Sequence, residues 1–121
     1  MGLNKWLHPT DWPEYYLYFP CDCSESSHRA FVDWWSLVHL AGGVVGALLT
    51  LWMPFWAALL LWLVLSILFE VFENSDWGIW LSKILSCSAD YEGDHLANSV
   101  IDVMCNMLGF GLGSMVLAMF S

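Results

Sequence analysis

Tyr91 to Gly113 reads Y-E-G-D-H-L-A-N-S-V-I-D-V-M-C-N-M-L-G-F-G-L-G, and the fold turns on how it is read. The pattern predicts a helix entering a membrane, with Asp94 or the turn before it as its cap. Asp94, Asn98, Asp102 and Asn106 recur at every fourth position. That spacing puts them in one slowly drifting stripe on an otherwise apolar helix. Gly109 and Gly113 continue the stripe with residues small enough for another helix to pack closely. Asp102 lies about 12 Å along the helix from Asp94. A charge at that depth costs on the order of 3 kcal/mol by insertion scales unless something pairs with it.

The composition agrees with a membrane setting. Hydrophobic residues make up 59% of the 121 residues and charged residues only 12%, too little charge to keep a water-soluble domain of this size dispersed. No charged residue occurs from Trp34 to Phe69 or from Val103 to Ser121. The first gap is far longer than one span needs and the second is close to one span. The formal net charge of −9, with three basic residues, argues against a nucleic-acid partner and against docking on anionic lipid. Met1 to Ala30 lacks a basic segment followed by an apolar core, so no cleavable signal peptide is expected.

The expected architecture is a single all-α membrane domain with three transmembrane helices and two interfacial helices. Residues 1–30 are read as interfacial. They are dense in Trp and Tyr, with a capping box at Asp11-Trp12-Pro13-Glu14 and a short helix from about Trp12 to Phe19. The first span is expected at 31–53 and carries Asp33, Ser36 and His39 near its start. The second is expected at 54–74, begun by Pro54. Residues 75–94 connect, with an amphipathic segment at Trp77 to Leu85 lying on the membrane surface. The third span is expected at 95–120. Lys5, Arg29 and Lys83 then fall on one side, which the positive-inside rule assigns to the cytoplasm together with the N-terminus.

The ionisable residues reach similar depths. Glu70, Glu73 and Asn74 share a face of the second span, spaced i, i+3, i+4. His39 lies roughly 9 Å along from Asp33, and Asn98 and Asp102 about 6 and 12 Å beyond Asp94. Such groups are best accommodated facing one another. The candidate cation ligands are His39, Glu70, Glu73, Asp94 and Asp102, supported by Asn74, Asn98, Ser99 and Asn106. Carboxylate and amide oxygens suit Ca²⁺, Mg²⁺ or Mn²⁺, and a histidine also admits Zn²⁺ or Fe²⁺, so the candidate cofactor is a divalent cation. Glu70 and Asp102 are equally candidates for a general acid/base pair. The competing reading is that Glu70, Asp102 and His39 satisfy one another and only lock the bundle.

Other motifs carry less. Cys21, Cys23 and Cys87 lack the second pair of a zinc site, and Cys105 sits mid-span. There is no G-x-S-x-G elbow, P-loop or H-E-x-x-H.

Trp35-Ser36-x-x-His39, Glu70-x-x-Glu73-Asn74-Ser75, Tyr91-x-Gly93-Asp94, Asn98-Ser99-x-x-Asp102 and Gly109-Phe110 together resemble a family of uncharacterised small bacterial inner-membrane proteins. Its motifs are E-x-x-E-N-S and Y-x-G-D-S-x-x-N-S-x-x-D. The likeness spans about Phe31 to Ser114, and His95 stands where that family has Ser. More distantly, His39, Glu70, Asp102-x-x-x-Asn106-x-x-Gly109-x-x-x-Gly113 resemble the VanZ-like membrane family, which is linked to glycopeptide-antibiotic tolerance. The resemblances imply a bacterial inner-membrane location, this architecture and these polar residues, but no reaction.

Three function classes follow. The first is a site for a cation or a polar lipid headgroup, with metal-dependent chemistry on a lipid-linked substrate as its extension. The second is an oligomeric cation or proton pathway, against which the apolar far half of every span counts. The third is a structural subunit or assembly factor of a larger membrane complex, suited by nine tryptophans and several glycine faces.

Overall fold

The computed structural model describes residues 15–18, 30–85 and 96–121. Four helices dominate it: α1 (Trp34–Leu49), α2 (Phe55–Glu73), α3 (Asp76–Leu85) and α4 (Leu96–Met119). Two four-residue strands precede them, β1 (Tyr15–Tyr18) and β2 (Ala30–Asp33), paired in parallel with Tyr15 opposite Ala30 and Leu17 opposite Val32.

The second and third expected spans are found within a residue or two as α2 and α4, and the amphipathic connection is α3. The N-terminal third corrects the sequence reading twice. The short helix expected from Trp12 to Phe19 is instead the strand Tyr15–Tyr18. The aromatic residues there favour extended backbone as readily as helix once a partner strand is present. That partner is Ala30–Asp33, so the first three residues assigned to span 1, Phe31 to Asp33, are strand and not helix. What remains, α1, has 16 residues. At 1.5 Å per residue it reaches about 24 Å, short of a hydrocarbon core of roughly 30 Å. Among the described residues, two helices and not three are therefore long and apolar enough to cross a membrane: Phe55–Glu73 and Leu96–Met119.

Local chemistry explains the helix ends. α1 stops at a turn where Thr50 donates its hydroxyl to the Gly46 carbonyl at 2.8 Å and Met53 N–H reaches the Thr50 carbonyl at 2.9 Å. Pro54, at φ −55° and ψ 138°, then starts α2 with no N–H to leave unpaired. Asn74 closes α2, its backbone and side-chain N–H groups both donating to the Glu70 carbonyl, at 3.1 and 3.0 Å. Ser75 caps α3 by accepting the Gly78 N–H on its hydroxyl at 3.3 Å. Asp76 in the first turn of α3 and Lys83 in its last suit the helix dipole.

The packing inverts that of a water-soluble protein. Only 17% of the apolar stretch of α2 and 28% of that of α4 is buried inside the protein. Ala47, Ala58 and Phe110 make a small apolar core, with Met53, Leu59, Trp62 and Leu117 against it. Buried polar residues include Ser36, His39, Ser66, Glu70, Asn74, Asn98, Ser99, Asp102 and Asn106. Large apolar side chains face outward on every helix, among them Leu48 on α1, Leu68 on α2, Trp77 on α3 and Leu108 on α4.

α1 and α4 form the most extensive helix pair. A β-carbon on Gly43 would collide with the Asn106 carbonyl oxygen, and one on Gly109 with the Leu40 carbonyl oxygen. One on Gly113 would come within 3.0 Å of the Ala47 Cβ. The two backbones touch because side chains are missing between them. Ascending positions on α1 meet ascending positions on α4, so the two run parallel. α2 meets α4 in the opposite order and runs antiparallel.

Candidate functional site

The polar residues of the three long helices stack in layers. Four residues advance a helix by about 6 Å and return to nearly the same face. Asn74, Glu70, Ser66 and Trp62 on α2 thus descend one stripe while Ser99, Asp102 and Asn106 descend another on α4. The upper layer joins Asn74 Nδ2 to Ser99 Oγ at 3.3 Å. The lower layer is a closed ring. Trp62 Nε1 donates to Asn106 Oδ1 at 2.8 Å, Asn106 Nδ2 donates to Ser66 Oγ at 2.9 Å, and Ser66 Oγ donates to the Trp62 carbonyl at 2.7 Å.

Between them lies the ionisable layer. His39 Nε2 of α1 is 3.3 Å from Glu70 Oε1 and 3.7 Å from Asp102 Oδ2. Ser36, one helical turn before His39, donates its hydroxyl to Asp102 Oδ1 at 2.6 Å. That short hydrogen bond fixes the Asp102 carboxylate while its second oxygen faces the imidazole. Phe69 packs its ring edge-on to His39, with centroids 5.8 Å apart. Glu70 is 3% exposed and Asp102 0%, so both carboxylates are removed from solvent.

One ligand atom from each of His39, Glu70 and Glu73 lies within 4.8 Å of the other two. Cation–ligand bonds of about 2.0 to 2.4 Å span such separations. The donor set fits a divalent cation: an imidazole nitrogen and carboxylate oxygens, with Asp102 beside the same imidazole nitrogen. An imidazole with several carboxylates suits Mn²⁺, Fe²⁺ or Zn²⁺ better than Ca²⁺ or Mg²⁺.

The structure thus gathers His39, Glu70, Glu73 and Asp102 of the expected ligands, and places Asn74, Ser99 and Asn106 in adjoining layers. Asn98 is buried on the same helix, 1% exposed. Asp94 lies outside the described residues, as do His95, Cys21, Cys23 and Cys87. Sequence reasoning passed over Ser36 and Ser66 as partners and did not single out Trp62. The signal was present: Trp62 and Ser66 extend the Glu70 and Asn74 stripe at the same spacing of four. A tryptophan in an apolar span reads as lipid-facing until its indole N–H has a partner across the bundle.

Comparison with known proteins adds a family and no activity. A UPF0314 protein of Paracoccus denitrificans (strain Pd 1222) is 32% identical, over 75% of this chain and 49% of its own length. A UPF0314 protein of Rhizobium meliloti (strain 1021) is 30% identical, over 75% of this chain and 48% of its own. The chain spans about half the length of these curated relatives. No solved structure matches. The family model described as "Protein of unknown function (DUF2585)" matches residues 14–121, and the chain belongs to that family.

Proposed function

We propose that this protein is a bacterial inner-membrane protein that binds a divalent cation in a buried polar layer built by His39, Glu70, Glu73 and Asp102. The observation that carries this is the convergence of ligand atoms of His39, Glu70 and Glu73 within 4.8 Å. Apolar surface facing outward, with polar residues facing inward, supports a lipid setting. Clustered carboxylates in such a setting need a counter-charge, and a divalent cation supplies it. The chemistry this supports is Lewis-acid polarisation of a polar group carried on a lipid, with Asp102 and Glu70 holding the cation and Asn98 orienting the substrate. The weaker likeness to VanZ-like proteins belongs to the same proposal and rests on the same residues.

The closed ring of Trp62, Ser66 and Asn106 favours a one-sided site over a conduit. It spends polar groups on one another directly beneath the cation layer, and no charged residue lies beyond it on α4.

The test is elemental analysis of purified wild type, Glu70→Gln and Asp102→Asn by inductively coupled plasma mass spectrometry. A near-stoichiometric divalent metal in wild type, lost from both variants while helix content is kept, is the expected result. Wild type that takes up no metal from Mn²⁺- or Zn²⁺-supplemented buffer would overturn the proposal, as would full occupancy in both variants.

A further inference from the structure

α3 presents three faces, one seated on α2 and two exposed. Gly78 is buried on the first face. A β-carbon there would collide with the Phe72 carbonyl oxygen and come within 2.6 Å of Glu73 Cα and 2.7 Å of the Glu73 carbonyl oxygen. The helix is therefore seated directly on the backbone of the last turn of α2. The seat is reinforced by Ser75, which caps α3 and donates its own hydroxyl to the Phe72 carbonyl at 2.5 Å.

The second face is apolar and open. Trp77, Trp80, Leu81 and Ile84 follow i, i+3, i+4, i+7, the spacing of one helix stripe. Trp77 is 74% exposed, Trp80 56% and Ile84 60%, and the two indoles meet edge to face at 6.3 Å. The third face carries Asp76 and Lys83, both exposed.

We infer that α3 is an interfacial clamp: its Trp77, Trp80, Leu81 and Ile84 face lies in the headgroup–acyl boundary of the bilayer, while its Gly78 face sets the depth of Glu73. The occupant is lipid for three reasons. The stripe continues the outward apolar surface of α2, where Phe69 and Phe72 are about half exposed. It begins where α2 ends at Glu73 and Asn74 and α3 starts at Asp76, the polar level of a spanning helix. Its leading residues are tryptophans, whose apolar ring and polar N–H fit that boundary better than either water or hydrocarbon. The role of Glu73 rests on the cation proposal; the lipid contact does not.

The test uses the whole 121-residue chain in phosphatidylcholine–phosphatidylglycerol vesicles. The photocrosslinker p-benzoylphenylalanine replaces Trp80, Ile84 or, as a solvent-side control, Lys83. Crosslinks to phospholipid from positions 80 and 84, with several-fold less from 83, are expected by mass spectrometry. Crosslinks from 80 and 84 to a protein, or equal lipid labelling at all three positions, would overturn the inference. The seat is tested by Gly78→Ala beside Gly111→Ala, whose added methyl meets nothing within 4 Å. Gly78→Ala is expected to weaken Mn²⁺ binding at least fivefold with helix content kept and Gly111→Ala to leave it unchanged; equal affinity in both would overturn the link to Glu73. Wild type that binds no Mn²⁺ would remove the cation proposal and that link together, and the crosslinks would still decide where α3 lies.

Discussion

α4 meets α1 and α2 along two seams of different chemistry. Toward α1 it offers absence: Gly109 and Gly113 face Leu40, Val44 and Ala47, and Gly43 answers from the other side. Toward α2 it offers polar side chains: Ser99 meets Asn74, and Asn106 meets Ser66 and Trp62. The first seam is broad and fits backbone to backbone. The second is narrow, and the buried residues of α2 itself are only Ala58, Ser66 and Glu70. In lipid, apolar area gives helices little reason to associate, because the tails are as apolar as leucine. Close packing at glycine and hydrogen bonding between polar groups are the two remaining means in such a setting; the glycine contacts lie toward α1, and hydrogen bonds cross to both neighbours, from Asp102 to α1 and from Ser99 and Asn106 to α2. The glycine seam brings Ser36 and His39 of α1 to Asp102. The polar seam closes the site from α2 with Glu70 and Glu73. The ionisable layer therefore needs both seams: α1 holds Asp102 through Ser36 and His39, and α2 supplies Glu70 beside the same imidazole.

The two seams can be broken deliberately. The largest effect is expected at the glycine seam. Gly109→Leu drives a side chain into the Leu40 carbonyl and should cost about 3 kcal/mol or more, read as loss of monodisperse protein in mild detergent. Next comes the ionisable layer. Glu70→Gln should lower divalent-cation affinity by at least about tenfold, or about 1.4 kcal/mol, while circular dichroism in detergent stays unchanged. A parallel loss of helix content would show that the polar seam also carries the fold.

The lower ring should respond less. Asn106→Ala removes the acceptor for the Trp62 indole and the donor to Ser66. At roughly 0.6 kcal/mol for each interhelical hydrogen bond in a membrane, the expected loss is about 1 kcal/mol, measurable by detergent unfolding. The smallest and sharpest contrast lies in two adjacent glycines. A β-carbon on Gly42 comes no nearer than 3.8 Å to Asn106 Oδ1, whereas one on Gly43 collides with the Asn106 backbone. Gly42→Ala should stay within about 0.5 kcal/mol of wild type and Gly43→Ala should not, as followed by thermal melts in detergent. Equal melts would mean that the glycine seam is looser than its geometry.

Much of this was legible in the chain. The apolar run from Pro54 to Asn74, and the run after His95, set α2 and α4 because length and hydropathy are local properties. The stripe of Asn98, Asp102 and Asn106 was legible for the same reason, since a helix repeats its face every four residues whatever it packs against. So was the depth shared by His39, Glu70 and Asp102. The start of α1 was not. Ala30–Asp33 has a strand partner at Tyr15–Tyr18, and a hydrogen-bonding partner at that distance in sequence outweighs local propensity. That pairing shortened α1 to 16 residues and left two helices, not three, of spanning length among the described residues.

By itself, then, the sequence determined where the long apolar helices run, which residues are polar within them and which face they share. The pairings came from the packing of the helices. It set Ser36 on one oxygen of Asp102, His39 between Asp102 and Glu70, Trp62 on Asn106 and Gly78 on the end of α2. Spacing fixes a residue's angle and height on its own helix. The register and rotation of one helix against another come from contacts between residues far apart in the chain, and here the touching backbones at Gly43 and Gly109 set both.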